Sequence, residues 1–186
     1  MNIPSAYLRQ PSSELLTLYR EQAMDYPKFH KMDVLSKTGI LAVEKIKAAV
    51  GDAISEEEWA EHTAIILCGL TGSLVADEAF QATISDPDDF YPSPSVFVYT
   101  LPNIVTGEIA LRHVIHGESA FYLLPSRDAA GIADVITLPF GDPSIHHILG
   151  GWIDANDEIC EAALLLINPD NTKNEIIETI QSTWNS

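Results

Sequence analysis

The sequence predicts an α/β domain with a mostly parallel, mixed sheet and helices on both faces. Three observations carry that reading. Thr63-Ala-Ile-Ile-Leu-Cys-Gly69 is apolar without alternation, the pattern of a strand covered on both sides. Segments of helical period stand between such runs, the order that builds parallel sheets. The runs Ile145–Ile153 and Cys160–Ile167 have no helix between them, so they pair antiparallel at one side.

In chain order, Ser12 or Ser13 caps a first helix from Ser13 to Met24, with Leu15, Leu16 and Tyr19 facing inward. A longer helix spans Lys31 to Val50. Its residues Leu35, Gly39, Ala42, Val43, Ile46 and Val50 recur at steps of three and four, which makes one buried face. After the strand at 63–69, Thr71-Gly-Ser73 breaks the chain and Leu74 to Ile84 reads as a helix. The Pro-rich stretch Ser85–Ser95 is a loop whose aromatic residues are expected to pack down. Pro102 opens a helix that runs to Val114, and Ser119–Leu124 is a second strand. Ala129–Ile136 is a helix of small residues, and Lys173–Thr183 closes the chain as a helix.

These elements fit one domain over 1–186, with residues 1–30 as a helical N-terminal arm. The chain is long enough to bury about 70% of its unfolded surface and needs no metal or disulfide staple. Its 10 Lys and Arg face 27 Asp and Glu, a net charge of −17. A field of that sign repels phosphate, which excludes nucleic acid and anionic membranes as partners. Residues 1–47 hold seven of the basic residues against five acids, leaving Arg112, Arg127 and Lys173 against 22 acids beyond. The N-terminal stretch either lies on the acidic remainder, or on an acidic partner, or presents basic solvated helix faces. Two cysteines, no signal-peptide pattern at the N-terminus and no run of 18 apolar residues point to the cytoplasm.

No cofactor fingerprint is present, and Gly150-Gly151 alone signals only a close backbone approach. His146 and His147 are neighbours in a predicted strand and point to opposite faces, a poor metal geometry. His113 and His116 share a helix face, but no nearby carboxylate or cysteine completes a set. Structural or surface roles are expected for these four and for His30 and His62, with no metal. Asp128 and Asp134 are six apart, off a common face, and form no catalytic dyad. Ser126 differs, because it lies where a strand turns through Pro125 into a helix. That junction presents a side chain and free backbone N–H groups at the carboxyl end of the sheet. Ser126 therefore either caps the helix or serves as a nucleophile.

Several stretches carry a family likeness. Leu101-Pro-Asn-Ile-Val-Thr-Gly-Glu-Ile-Ala-Leu-Arg-His-Val-Ile-His-Gly117 resembles the segment before the nucleophile in β-ketoacyl-acyl-carrier-protein synthases. Ser119 to Ala129 occupies the place of their nucleophile strand and elbow. Leu149-Gly-Gly151 resembles their later strand-end glycines, and Lys31 to Ala42 is similar to their early Arg-Met-Asp-like helix. The likeness covers most of 30–167 and is greatest for the short ketosynthase-like proteins of aryl-polyene and flexirubin-type pigment pathways.

The resemblance implies the N-terminal half of a thiolase-like fold, with the nucleophile strand at a dimer interface. Counted from Gly117, the family's cysteine falls on Ser126, while Cys68 and Cys160 lie on other strands. The family's catalytic histidines belong to a C-terminal half without counterpart in these residues. The expectation is a non-catalytic ketosynthase-like subunit of fatty-acid or polyketide-type biosynthesis. The alternatives are an acyltransferase or 3-oxoacyl-synthase-type enzyme that uses Ser126 and is completed by another chain, and a binder of acyl chains. The partner is a second copy or a condensing enzyme, joined through Ser119–Leu124, through a bare apolar face of the helix Ala129–Ile136, or through both. An acyl carrier protein is a further expected partner, received only by the basic N-terminal stretch.

Overall fold

The computed structural model describes residues 3–88 and 90–185. Strands are β1 (Ser5–Pro11), β2 (Thr63–Gly69), β3 (Ser119–Leu123), β4 (His147–Ala155) and β5 (Ile159–Ile167). Helices are α1 (Leu15–Glu21), α2 (Val34–Val50), α3 (Glu56–His62), α4 (Leu74–Ala82), α5 (Pro94–Phe97), α6 (Ile104–His113), α7 (Ala129–Ile136) and α8 (Lys173–Trp184). The five strands form one sheet in the order β1-β5-β4-β2-β3. β2 is parallel to both β3 and β4, whereas β4–β5 and β5–β1 are antiparallel.

β2 has no polar alternation because each of its faces meets a separate core. Ile65 and Leu67 pack with Leu35, Ile46, Val105 and Ile109 on the α2–α6 side. Ala64, Ile66 and Cys68 pack with Ile132, Ile136, Ile176 and Ile180 on the α7–α8 side. Every residue of β2 is buried. Asp33 caps α2 by accepting from the Ser36 N–H at 3.0 Å, which starts the helix at Val34 rather than Lys31. Gly39 lets α6 come close, since a Cβ there would meet Val105 Cγ2 at 2.6 Å. At Gly151 a Cβ would overlap the Ala163 carbonyl oxygen of β5, and φ is +143°. Only glycine accommodates both conditions.

Several expectations need correction. Residues 5–11, taken as part of a helical arm, form β1, in which Ala6 and Leu8 are buried against α2. Residues 1–2 of that arm and Asp89 of the Pro-rich loop lie outside the described residues. Phe90 and Tyr91 are exposed, 60% and 82%, rather than packed down. α3 had no place in the sequence reading, because Trp59 is its one apolar anchor among acids. The apolar face of α7 is not bare: Ile132, Ala133 and Ile136 are fully buried on the sheet beside α8. Among the described residues, no helix is long and apolar enough to cross a membrane.

Candidate functional site

β3 is an edge strand, paired with β2 on one side only, and its residues are exposed or half-buried. The chain leaves it through Pro125, and Ser126 follows, exposed, before α7 begins at Ala129. Asp128, not Ser126, caps α7: its Oδ2 accepts from the Gly131 N–H at 2.7 Å. The reading of Ser126 as the cap is thereby corrected. A carboxylate takes the cap because it also complements the positive end of the helix. The Ser126 carbonyl accepts from the Asp128 N–H at 3.0 Å, while its hydroxyl has no hydrogen-bond partner among the described residues.

Among the described residues, no base is hydrogen-bonded to this serine hydroxyl. The Arg127 guanidinium turns away, donating to Glu161 Oε1 at 2.5 Å and lying 4.4 Å over the Trp184 ring. Glu161 Oε1 also accepts from the Tyr7 hydroxyl at 2.9 Å. Burial, then the Glu161 carboxylate, pushes the Tyr7 phenol above its usual range. His62, His146 and His147 sit at the amino ends of β2 and β4. Gly69, which ends β2, lies about 20 Å along the strand from Thr63. Neither thiol substitutes: Cys68 and Cys160 are buried in the sheet, and burial pushes the Cys68 thiol up to about 12.

Beside the start of α2 lies a cavity of about 620 Å³, lined by Met32, Asp33, Lys37, Val75, Val96 and Tyr99 among others. Burial holds the Lys37 ammonium below its ordinary range and the Asp33 carboxyl above its own. Tyr99 donates to Glu108 Oε1 at 3.2 Å, and Lys28 pairs with Glu108 at 2.6 Å. The cavity is thus apolar with a few fixed charges at its rim, a form suited to an organic ligand.

The structure is similar to a solved structure described as the ishigamide ketosynthase/chain length factor. The TM-score is 0.66 at 15% identity, over 90% of this chain and 62% of that one. The fold is ketosynthase-like. The chain spans 62% of the length of the structure it matches. No protein-family model matches the sequence, and no curated protein does.

Within this ketosynthase-like, or thiolase-like, frame, Ser126 stands after the edge strand at the carboxyl end of the sheet. Around that end the surface is apolar. Leu70, Leu74, Leu101 and Leu123 are 50%, 46%, 55% and 60% exposed. Pro102 and Leu123 both close on Gly72, which draws this rim together. The basic N-terminal stretch, by contrast, is partly used internally, with Lys28 on Glu108 and Lys47 on Glu56.

The structure also overturns the reading of His146 and His147 as pointing to opposite faces of a strand. His146 Nδ1 lies 2.6 Å, and His147 Nε2 3.4 Å, from the same Glu58 Oε1. His146 precedes the strand and His147 begins it, and both side chains reach the same carboxylate. Glu58, His62 and His146 offer ligand atoms all within 4.8 Å of one another. Glu58 and His62 were missed as a pair because α3 was missed; their four-residue spacing is the signal that would have found them.

Proposed function

We propose that this chain is a non-catalytic ketosynthase-like subunit that pairs with a condensing enzyme in fatty-acid or polyketide-type biosynthesis of the aryl-polyene kind. One observation carries the reading. The position that the resemblance assigns to the nucleophile holds an exposed serine whose hydroxyl has no hydrogen-bonded base among the described residues. A serine hydroxyl in water is a poor nucleophile at neutral pH, and condensation requires a thiolate together with donors to the developing oxyanion. The fold shared with a ketosynthase/chain length factor supports a role beside a condensing enzyme.

The pairing surface in this proposal is the outer edge of β3 with the leucine rim around it. An edge strand with unpaired backbone groups next to exposed apolar side chains invites a second subunit. A second copy of the chain is the other occupant of this surface. The acidic bulk of residues 48–186 opposes direct docking of an acyl carrier protein, itself acidic, so the partner subunit would receive the carrier. The cytoplasm is the proposed location.

Incubation with mass-tagged acyl thioester tests the reading. Under the proposal Ser126 stays unmodified, with and without a condensing enzyme, and the chain co-purifies with that enzyme in one complex. Acylation of Ser126 would instead establish the acyltransferase reading, with the base supplied by another chain.

A further inference from the structure

We infer that the amino-terminal end of the parallel strands carries a binding site for a divalent transition metal, built from Glu58, His62 and His146. Two independent pieces of backbone bring these residues together. Glu58 and His62 are four apart on α3 and so share one helix face. His62 and His146 each precede a strand, and the parallel pairing places Thr63 opposite His147. The ladder extends one step further back, because the His146 N–H donates to the His62 carbonyl at 2.9 Å. The two imidazoles therefore stand side by side, stacked at 4.3 Å with their planes 16° apart.

The donor set is chemically ready. His62 Nδ1 lies 2.8 Å from the Ser144 carbonyl oxygen, which can only accept, so Nδ1 carries the hydrogen and Nε2 keeps its lone pair. A histidine held through its other ring nitrogen by a backbone carbonyl is the usual support of a metal ligand. Imidazole and carboxylate together suit zinc, cobalt and nickel ions more than calcium or magnesium. Ligand atoms of a tetrahedral zinc site stand about 3.3 Å apart, given bonds of about 2.0–2.1 Å. The three sets of ligand atoms lie within 4.8 Å of one another, and the 2.6 Å between His146 Nδ1 and Glu58 Oε1 must widen to reach that spacing. Glu56, Glu57 and Glu61 on the same helix add a negative field that concentrates cations. The site is open to solvent: Glu58 and His62 are half-buried, and His146 is exposed. Bound metal would clasp α3 to the starts of β2 and β4, far from Ser126.

The test uses the full chain, freed of metal with a chelator and titrated with Zn²⁺ by calorimetry and with Co²⁺ by visible absorption. One equivalent of either ion is expected to bind with Kd on the order of micromolar or tighter. Co²⁺ should develop the intense visible bands of a tetrahedral site. His62→Asn and His146→Asn should each weaken Zn²⁺ binding by about 100-fold, while His116→Asn, which breaks only the separate His116–Glu61 pair, should leave it unchanged. Glu58→Gln, close in shape to the original, provides a variant that keeps the fold if a histidine substitution disturbs it, and should also weaken binding. Millimolar binding, or micromolar binding that survives loss of either histidine or of the Glu58 charge, would overturn the assignment.

Discussion

The two ends of the parallel strands are chemically opposite. At the carboxyl end, where the resemblance places the reacting centre, an exposed serine has no hydrogen-bonded base among the described residues, and exposed leucines lie around that end of the sheet. At the amino end, Glu58 gathers His146 and His147 on one oxygen while His62 stacks against His146. Backbone geometry accounts for much of the contrast. The carboxyl end opens onto an edge strand and a proline, where side chains project outward. The amino end is closed by α3 and by two strands in register, where side chains converge. One sheet can thus present an apolar surface at one end and tightly arranged polar groups at the other.

The contrast breaks at once if the carboxyl end still turns over substrate. Purified chain should release no carbon dioxide from malonyl-carrier protein above a buffer control, and Ser126→Cys should not change that. A thiol there would still have no hydrogen-bonded base among the described residues. A radiolabelled decarboxylation assay reads both results.

Trp59 anchors the other end. It is fully buried beneath α3, with Lys47 Nζ 4.4 Å over its ring. Trp59→Ala should cost about 3–5 kcal/mol in urea unfolding and carry Glu58 out of place. A loss below about 1 kcal/mol would mean that α3 is held by something other than this ring.

His113 gives the stability a pH dependence. Burial, with Glu44 opposing and Arg112 and Lys47 assisting, lowers its pKa from 6.5 to about 4. The unfolded chain then binds more protons between about pH 4 and 6.5, so stability rises with pH across that window and is lost on acidification. The full difference is roughly 3 kcal/mol. His113→Gln should flatten that part of the profile relative to the parent chain, as followed by denaturation at pH 4.5 and pH 7. An unchanged slope would show that folding does not shift the His113 titration.

The smallest effect on the chain itself belongs to Leu123→Arg. At 60% exposure on an edge strand, this change should alter stability by no more than about 0.5 kcal/mol. It should nevertheless abolish co-purification with a partner seated on β3. Retained co-purification would move the pairing surface elsewhere.

Much of this architecture was legible in the sequence where apolar pattern and burial coincide. β2, β4, β5, α2 and α7 were, because uninterrupted or periodic apolar runs mark double-sided or single-sided burial. β1 was not: its alternation rests on Ala6 and Leu8 between Pro4 and Pro11, and its main support is a strand far away in the chain. α3 was hidden by its single tryptophan, although Ser55 followed by three glutamates was a cap signal, realised as the Glu58 N–H donating to Ser55 Oγ at 3.1 Å. The position of Ser126 followed from a strand-to-helix turn, but the surroundings of its hydroxyl did not, because they depend on where other elements send their side chains. The cluster around Glu58 was illegible for the same reason: no local spacing joins residues 58–62 to 146–147, and only the pairing of β2 with β4 does.

The pairing of the first strand with the fifth also governs how the chain must fold. Tyr7 and Glu161, bonded across β1 and β5, are 154 residues apart. On a ribosome, β1 emerges first and waits unpaired until β5 has been made, its backbone groups open to other chains throughout. Contacts of such sequence separation slow folding and lengthen that exposure. Nascent chains truncated before residue 159 should therefore bind chaperones through their first dozen residues, and those that include β5 should not.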